Sequence, residues 1–392
     1  MAQVMISDVQ RRVRLGRRHA LAAAHRRSDA AEAARAVVVL HATEAPSVHL
    51  AVAARTEGVS VADVDRCLYE ERALVKQLAM RRTLFAFPRD LLPAALGSAA
   101  PRVGDALRRR IETTVAARGD DPASWLDLVR ARVTGALSGR QLSTTEIRTA
   151  VPELDFRVDA GSGKWAQSVQ VAPWVMSLLG LDGVVTRADA VGSWLNPRPR
   201  WALQADWLGG PVTPTTAGEG YAVLVQRWLE RFGPGTVDDI VWWLGATKAV
   251  VRAALGQLSA VEVRLEDGVS GWVLPGDEAD EPDLEPWAAL LPALDPTTMG
   301  WKERRFYLDP VDRPYLFDTN GNAGTTAWWN GRIVGCWVQD PDGVVRVVAR
   351  DPLDAEAERV LAGEAARLTA WLDGTVVTSI YASSQQRSQR LG

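Results

Sequence analysis

One short stretch of the chain carries the residue types best suited to moving a proton: Val37-Val38-Val39-Leu40-His41-Ala42-Thr43-Glu44-Ala45-Pro46. His41 and Thr43 stand two residues apart, between an apolar run and a proline. An imidazole titrates near neutral pH, so His41 can take a proton from a water, and the Thr43 hydroxyl can orient that water. A residue before proline avoids the helical region. A helix over residues 29–40 is therefore expected to stop near 43–45, with a second helix starting at Pro46. This places His41 and Thr43 at the mouth of a helix–helix junction, where a helix C-terminus would favour the imidazolium form. Glu44 reads as a solvated charge at the helix end. Of the other three histidines, His49 reads as a surface or core residue. His19 and His25 fall in an arginine-rich helix and are expected to face phosphate or solvent.

Other chemistries lack their motifs. There is no Gly-x-x-x-x-Gly-Lys loop, no Gly-x-Gly-x-x-Gly fingerprint and no Gly-x-Ser-x-Gly elbow. No histidine pairs with another histidine or a cysteine at zinc-ligand spacing, so neither a metal site nor a cofactor is expected. Cys67 and Cys336 are far apart and read as buried thiols of a reducing cytosol.

The 392 residues suffice for two to four domains, and 47% hydrophobic residues is ordinary for globular protein. No apolar run is long enough to span a bilayer, and the basic N-terminus has no apolar segment of a secretory signal behind it. The net charge of −3 excludes a bulk nucleic-acid coat. Basic residues nevertheless cluster at 11–18, 26–27, 81–82, 108–110 and 304–305. Nearly all are arginine, since the only lysines are Lys76, Lys164, Lys248 and Lys302. An arginine face can hold phosphates.

The elements that would position these residues repeat along the chain. Ser60 with Asp63 forms a capping box that opens a helix over 61–70. Two alternating runs, 74–78 and 83–87, follow around the basic tip Arg81-Arg82 and read as a hairpin in which Phe85 and Phe87 face inward. Ser143 with Glu146 is a second box, after helices over 102–118 and 122–137. A helix over 167–179 follows, then a longer hairpin, 184–188 and 201–207. Thr236 with Asp239 is a third box, followed by a helix over 248–258 and the hairpin 261–265 with 271–274. Helices followed by a hairpin make a winged helix, so three are expected in tandem. Residues 276–285 form an acidic linker that reads as a solvated spacer. Beyond it, strands at 325–329, 332–337, 344–349 and 375–381, the turns Asn320-Gly321 and Asn330-Gly331, and one helix over 355–372 suggest a small barrel or curled sheet. The expected fold class is α+β: winged helices over 1–98, 99–212 and 213–276, then a small β-barrel-like domain over 286–392.

Tandem winged helices point to DNA. The helix before each wing can enter a major groove, and Arg81, Arg82, Arg187 and Arg200 near the wings, with Arg304 and Arg305, are candidate phosphate contacts. Among sixteen tryptophans, Trp165, Trp194, Trp242-Trp243 and Trp328-Trp329 include candidates for stacking on an exposed base, with core packing the expected role for each.

The segments "VVVLHATEAPSVHLAVAARTEG", "LYEERALVKQLAMRRTLFAFP", "LLPALDPTTMGWKERRF" and "DTNGNAGTTAWWNGRIVGCW" resemble the winged-helix DNA glycosylases of the AlkZ/YcaQ type, over about residues 15 to 382. The resemblance implies three winged helices and a C-terminal barrel around duplex DNA, and excision of bulky alkylated purines, mainly N7 adducts, with crosslink unhooking in some members. The family's catalytic Gln-x-Gln or Gln-x-Asp motif falls on His41-Ala42-Thr43. His41 and Thr43 are thus the expected catalytic pair of a monofunctional DNA glycosylase, a DNA repair enzyme for alkylation damage. Its partner would be double-stranded DNA, and it would act as a cytoplasmic, nucleoid-associated monomer away from membranes. The alternative is a winged-helix DNA-binding protein without catalysis, a regulator or lesion sensor. A protein-interaction scaffold is a third class.

Overall fold

The structure, a computed structural model, describes residues 4–160 and 167–389. Trp165 lies outside the described residues.

The fold is mixed α+β. In the N-terminal part, helices Asp8–Arg18, Ala30–Arg35, Ala45–Ala53 and Val61–Asp65 precede a hairpin of strands Leu74–Leu78 and Leu84–Pro88. The Ser60–Asp63 capping box forms at the start of Val61–Asp65. The helix expected over 29–40 stops at Arg35. Val38 takes a φ of 66°, and Leu40–His41 becomes a short strand. Val37, Val38 and Val39 form the buried turn between helix and strand: β-branched residues extend a helix poorly, and core packing rather than strand propensity holds Val38 at its positive φ. Leu40 pairs with Ala86 and His41 with Phe85, giving a three-stranded sheet with Leu84–Pro88 in the centre. His41 is therefore not at a helix C-terminus. The next helix starts at Ala45 with proline in its first turn, as expected.

The second part holds helices Ala99–Ala116, Pro122–Leu137, Thr144–Ala150 and Ala172–Leu181, with a hairpin of Val185–Val191 and Arg198–Leu203. The region expected as helix from 167 begins as a strand, Gln167–Gln170, paired with Arg157–Ala160. Helix starts only at Ala172, with proline again in its first turn. This part has a core of its own, with Ile111, Val129, Ile147, Leu154 and Met176 all at zero exposure.

The third part comprises helices Ala217–Phe232, Val237–Leu244 and Lys248–Gln257 and the hairpin Val261–Leu265 with Ser270–Val273. Met5–Ile6, the first strand of the chain, lies parallel to Val261–Leu265, so this hairpin gains a third strand from the far end of the sequence. The expected boxes at Ser143–Glu146 and Thr236–Asp239 both form. A further one at Thr216–Glu219 escaped the sequence reading.

The C-terminal sheet corrects an expectation. Ala288–Leu291, Thr326–Trp329, Arg332–Gln339 and Val345–Ala349 pair in that order, and the two outer strands do not meet, so the sheet is open rather than a barrel. Helix Ala355–Leu372 packs on it instead, through Leu361, Ala365, Leu368 and Leu372. Covering one face with a helix buries the apolar side chains that closure would otherwise bury. Asn330-Gly331 makes the tight turn between two strands, with φ of 44° and 80°. Asn320-Gly321 turns a loop instead. Residues 375–381, expected as a strand, form none; Val377 and Ile380 donate their backbone N–H groups to the Gln339 and Glu44 side chains.

One large core runs through the first and third parts and the C-terminal region, including Val52, Phe87, Leu224, Trp228, Leu229, Trp301, Tyr307 and Trp328. Trp228, Phe232 and Trp301 meet ring to ring, and Tyr307 stacks on Trp328 at 5.2 Å. The acidic linker is not a free spacer. Asp277 accepts from Arg14 and Arg18, and Glu281 pairs with Arg17 and Arg18. Much of the N-terminal arginine cluster is thereby committed within the protein.

Candidate active site

His41 is held by strand pairing, which sets its ring 4.6 Å from the Phe85 ring. It is only 6% exposed, and its Nδ1 is buried with no hydrogen-bond partner among the described residues. Burial, and then the nearby Arg81 charge, push the imidazole down from its ordinary value to about 3. His41 is therefore neutral at physiological pH. Thr43, two residues on, is exposed at the surface.

Arg81 comes from the tip of the first hairpin. A single tight turn, Met80–Arg82, joins the strands, and both Arg81 and Arg82 adopt positive φ, 54° and 57°. Non-glycine residues there carry strain of about 1–3 kcal/mol each. The turn aims the Arg81 guanidinium at the indole of Trp242, 4.1 Å from its centroid. Arg304 reaches the same ring from another part of the chain, at 5.2 Å, and lies 4.8 Å from the Phe317 ring. Its Nε donates to the Trp301 carbonyl at 3.1 Å. Burial, and then the Arg304 charge, bring Arg81 down to about 10. Gly245, which follows helix Val237–Leu244 with a φ of 65°, closes the back: a Cβ there would lie 3.2 Å from Arg81 Cγ. His41, Arg81 and Arg304, separated by up to 263 residues, thus share one electrostatic neighbourhood. The sequence marked Trp242 only as half of a tryptophan pair, and nothing local reveals that two arginines meet over it.

The remaining candidates divide. Arg82 and Arg305 are exposed. Arg200 is engaged by the Gln141 carbonyl and lies 3.4 Å from Glu146, within the second part. Arg187 lies over Trp201 at 5.2 Å, and burial lowers its pKa. It adjoins Lys76, whose ammonium donates to the Tyr69 hydroxyl at 2.7 Å; burial, then the Arg187 charge, lower Lys76 to about 8. Register places Lys76 opposite Ala86 and Leu40, one row from His41, so their side chains leave opposite faces of the sheet.

Several sequence readings change. Glu44 is not a solvated helix end: it is partly buried and accepts from Ser379 Oγ and Ile380 N, both at 2.9 Å. Burial raises its pKa against the opposing effect of those hydrogen bonds. It cannot be a free charge because the chain beyond residue 375 folds back onto it. His19 faces neither phosphate nor solvent. It is fully buried, its Nδ1 2.8 Å from Thr297 Oγ1 and its Nε2 3.0 Å from the Arg231 carbonyl. His25 ends a short turn, Ala23–His25, and is half-exposed. His49 is buried, with Nε2 3.0 Å from Asp65 Oδ1 and its ring 5.1 Å from Trp194, which also meets Trp371 at 5.9 Å. Both cysteines are buried and unpaired. Among the described residues no three His, Cys, Asp or Glu side chains gather as a metal site, and no helix is long and apolar enough to cross a membrane.

The arrangement offers a neutral proton acceptor beside two guanidiniums that form no ion pair among the described residues. Such a site suits an anionic ligand. A family model described as "DNA glycosylase AlkZ-like" matches residues 34–371. Among curated proteins none matches the sequence. Among solved structures, the Streptomyces sahachiroi DNA glycosylase AlkZ is similar in fold, with a TM-score of 0.72 and 20% sequence identity over 93% of this chain and 96% of that one.

Proposed function

Because the chain belongs to the AlkZ-like DNA glycosylase family, we propose that it hydrolyses the N-glycosidic bond of alkylated, N7-adducted purines in duplex DNA. In this reading three winged helices, over 1–98, 99–212 and 213–276, and the β-rich region 286–392 embrace the duplex as a monomer. Arg82, Arg187 and Arg305 hold backbone phosphates together with Arg81 and Arg304; Arg200 contributes less, being engaged internally. The family match carries the claim that a glycosidic bond is cut. The neutral imidazole, its buried Nδ1 without a partner among the described residues, beside a cationic cluster supports the choice of site.

N7-alkylation makes the purine a cationic leaving group, so the reaction needs no general acid. It needs a water below the sugar C1′ and stabilisation of an oxocarbenium-like state. His41 accepts the proton of that water as it attacks, and the exposed Thr43 hydroxyl orients it. General-base assistance of this kind contributes about 10²–10⁴-fold.

A second reading rests on one observation, the 6% exposure of His41. A walled-in imidazole suits a DNA-binding relative that detects lesions without cutting. The deciding assay incubates the protein with duplex DNA containing N7-methylguanine and cleaves abasic sites with alkali. Strand breaks that fall by about 10²-fold or more in His41→Ala support base catalysis at His41. Undiminished breaks in that variant would retire His41 as catalyst. Binding with no abasic product in the wild type supports the second reading.

A further inference from the structure

We propose that Arg81 and Arg304 together bind one phosphodiester of the DNA backbone, the one beside the sugar presented to His41, at the junction walled by Trp242 and the first hairpin tip. The proposal rests on the glycosylase reading for the identity of the ligand and on geometry for the site.

Four observations point to an anion here. The two guanidiniums converge on one indole from residues 81 and 304, although like charges repel and burial strips their water. Neither forms an ion pair with a carboxylate among the described residues, whereas most arginines of helix Asp8–Arg18 do. Arg81 Nε and Nη2 are buried with no acceptor, so donors remain unused. The hairpin tip also holds Arg81 and Arg82 in a left-handed conformation that unconstrained arginines avoid. A phosphodiester supplies the missing charge and acceptor oxygens that a guanidinium fork matches.

The chemistry requires such an anion as well. An oxocarbenium-like state is cationic, and so is an N7-alkylated purine. Two uncompensated guanidiniums near the sugar oppose both. One phosphodiester between them offsets one of the two positive charges and so eases that opposition, and it screens the Arg81 charge that, after burial, weakens His41 as a base. The duplex would therefore complete the site with its own backbone, and undocked protein would be a poor catalyst.

The test uses a duplex with a single tetrahydrofuran abasic analogue, which fixes the binding register. Methylphosphonate linkages are placed one at a time at each position around it. Binding is measured for the full-length wild type, Arg81→Gln, Arg304→Gln and the exposed neighbour Arg82→Gln. At one position, removing the phosphate charge is expected to weaken wild-type binding about tenfold, as for loss of a charged hydrogen bond. The same substitution should change Arg81→Gln or Arg304→Gln by less than about twofold and leave the full penalty in Arg82→Gln. In a parallel arm, inorganic phosphate should raise the melting temperature of the wild type above that in chloride of equal ionic strength, and Arg81→Gln should lose the increment. Arg304 is nearly buried, so a misfolded Arg304→Gln leaves the decision to Arg81→Gln. No sensitive position, or one equally sensitive in all variants, overturns the proposal. Protection by inorganic phosphate without a sensitive position overturns it too, since the site would then take free phosphate. Excision of N7-methylguanine with no sensitive position removes this site and leaves the glycosylase reading; a sensitive position without excision does the reverse.

Discussion

Arg55 and Asp295, 240 residues apart, form a two-pronged ion pair of 2.6 and 2.8 Å with no exposure on either side chain. Arg55 also donates to the Ala51 carbonyl and to Thr297 Oγ1, which in turn contacts His19. The pair locks the helix that follows the His41 strand to the loop that leads into Arg304.

Removing one partner leaves a charge stranded in the core. Asp295→Asn should lower stability by about 3–5 kcal/mol, measured by urea denaturation. The double change Arg55→Met with Asp295→Leu should recover most of that loss, because no buried charge remains unpaired.

The acid response of the protein should carry a signature of His41. Its folded pKa is about 3, below the ordinary value near 6.5 expected in the unfolded chain. Between those values the unfolded state binds the extra proton, so stability falls as pH drops from about 6.5 towards 3. From pH 7 to pH 5 the wild type should lose about 1–2 kcal/mol more than His41→Gln, by urea melts at the two pH values. His19 is also held neutral by burial and responds in the same direction, so only the difference between the two proteins isolates His41.

Gly245 should tolerate no side chain. Its φ is 65°, and an added Cβ would press on Arg81 Cγ and on the Arg81 backbone nitrogen, each at 3.2 Å. Gly245→Ala should cost about 1–2 kcal/mol in thermal melts. It should also weaken DNA binding by displacing the Arg81 turn, whereas Gly256→Ala, inside helix Lys248–Gln257 where a Cβ meets nothing, should raise stability by about 0.4–1 kcal/mol and leave binding unchanged.

Thr43 offers a cleaner probe of chemistry than His41, because it is exposed. Thr43→Val keeps the shape and removes the hydroxyl. Stability should stay within about 0.5 kcal/mol of wild type, and single-turnover excision should slow by about tenfold. An unchanged excision rate would remove Thr43 from the water-holding role.

What the sequence disclosed was local. Capping boxes at Ser60, Ser143 and Thr236, the Asn330-Gly331 turn and helix Ala355–Leu372 all depend on neighbours within a few residues, and all appear. The His41 strand escaped because two residues give no periodicity; its partner is Phe85, supplied by a hairpin further on. The same holds for Met5–Ile6, for Glu44 with Ile380, and for the meeting of Arg81 and Arg304 over Trp242. The open C-terminal sheet was misread because strand count does not say whether a helix will cover the face. Type and spacing nominated His41, Arg81 and Arg304 separately, but their common neighbourhood is a property of tertiary packing.

The division of the apolar interior has a mechanical consequence. The segments on either side of residues 99–212 are fused through a common set of aromatics, while that insert carries most of its own hydrophobic support. Gentle heating or low denaturant should therefore loosen the insert first, as an early step in a calorimetric trace ahead of the main endotherm.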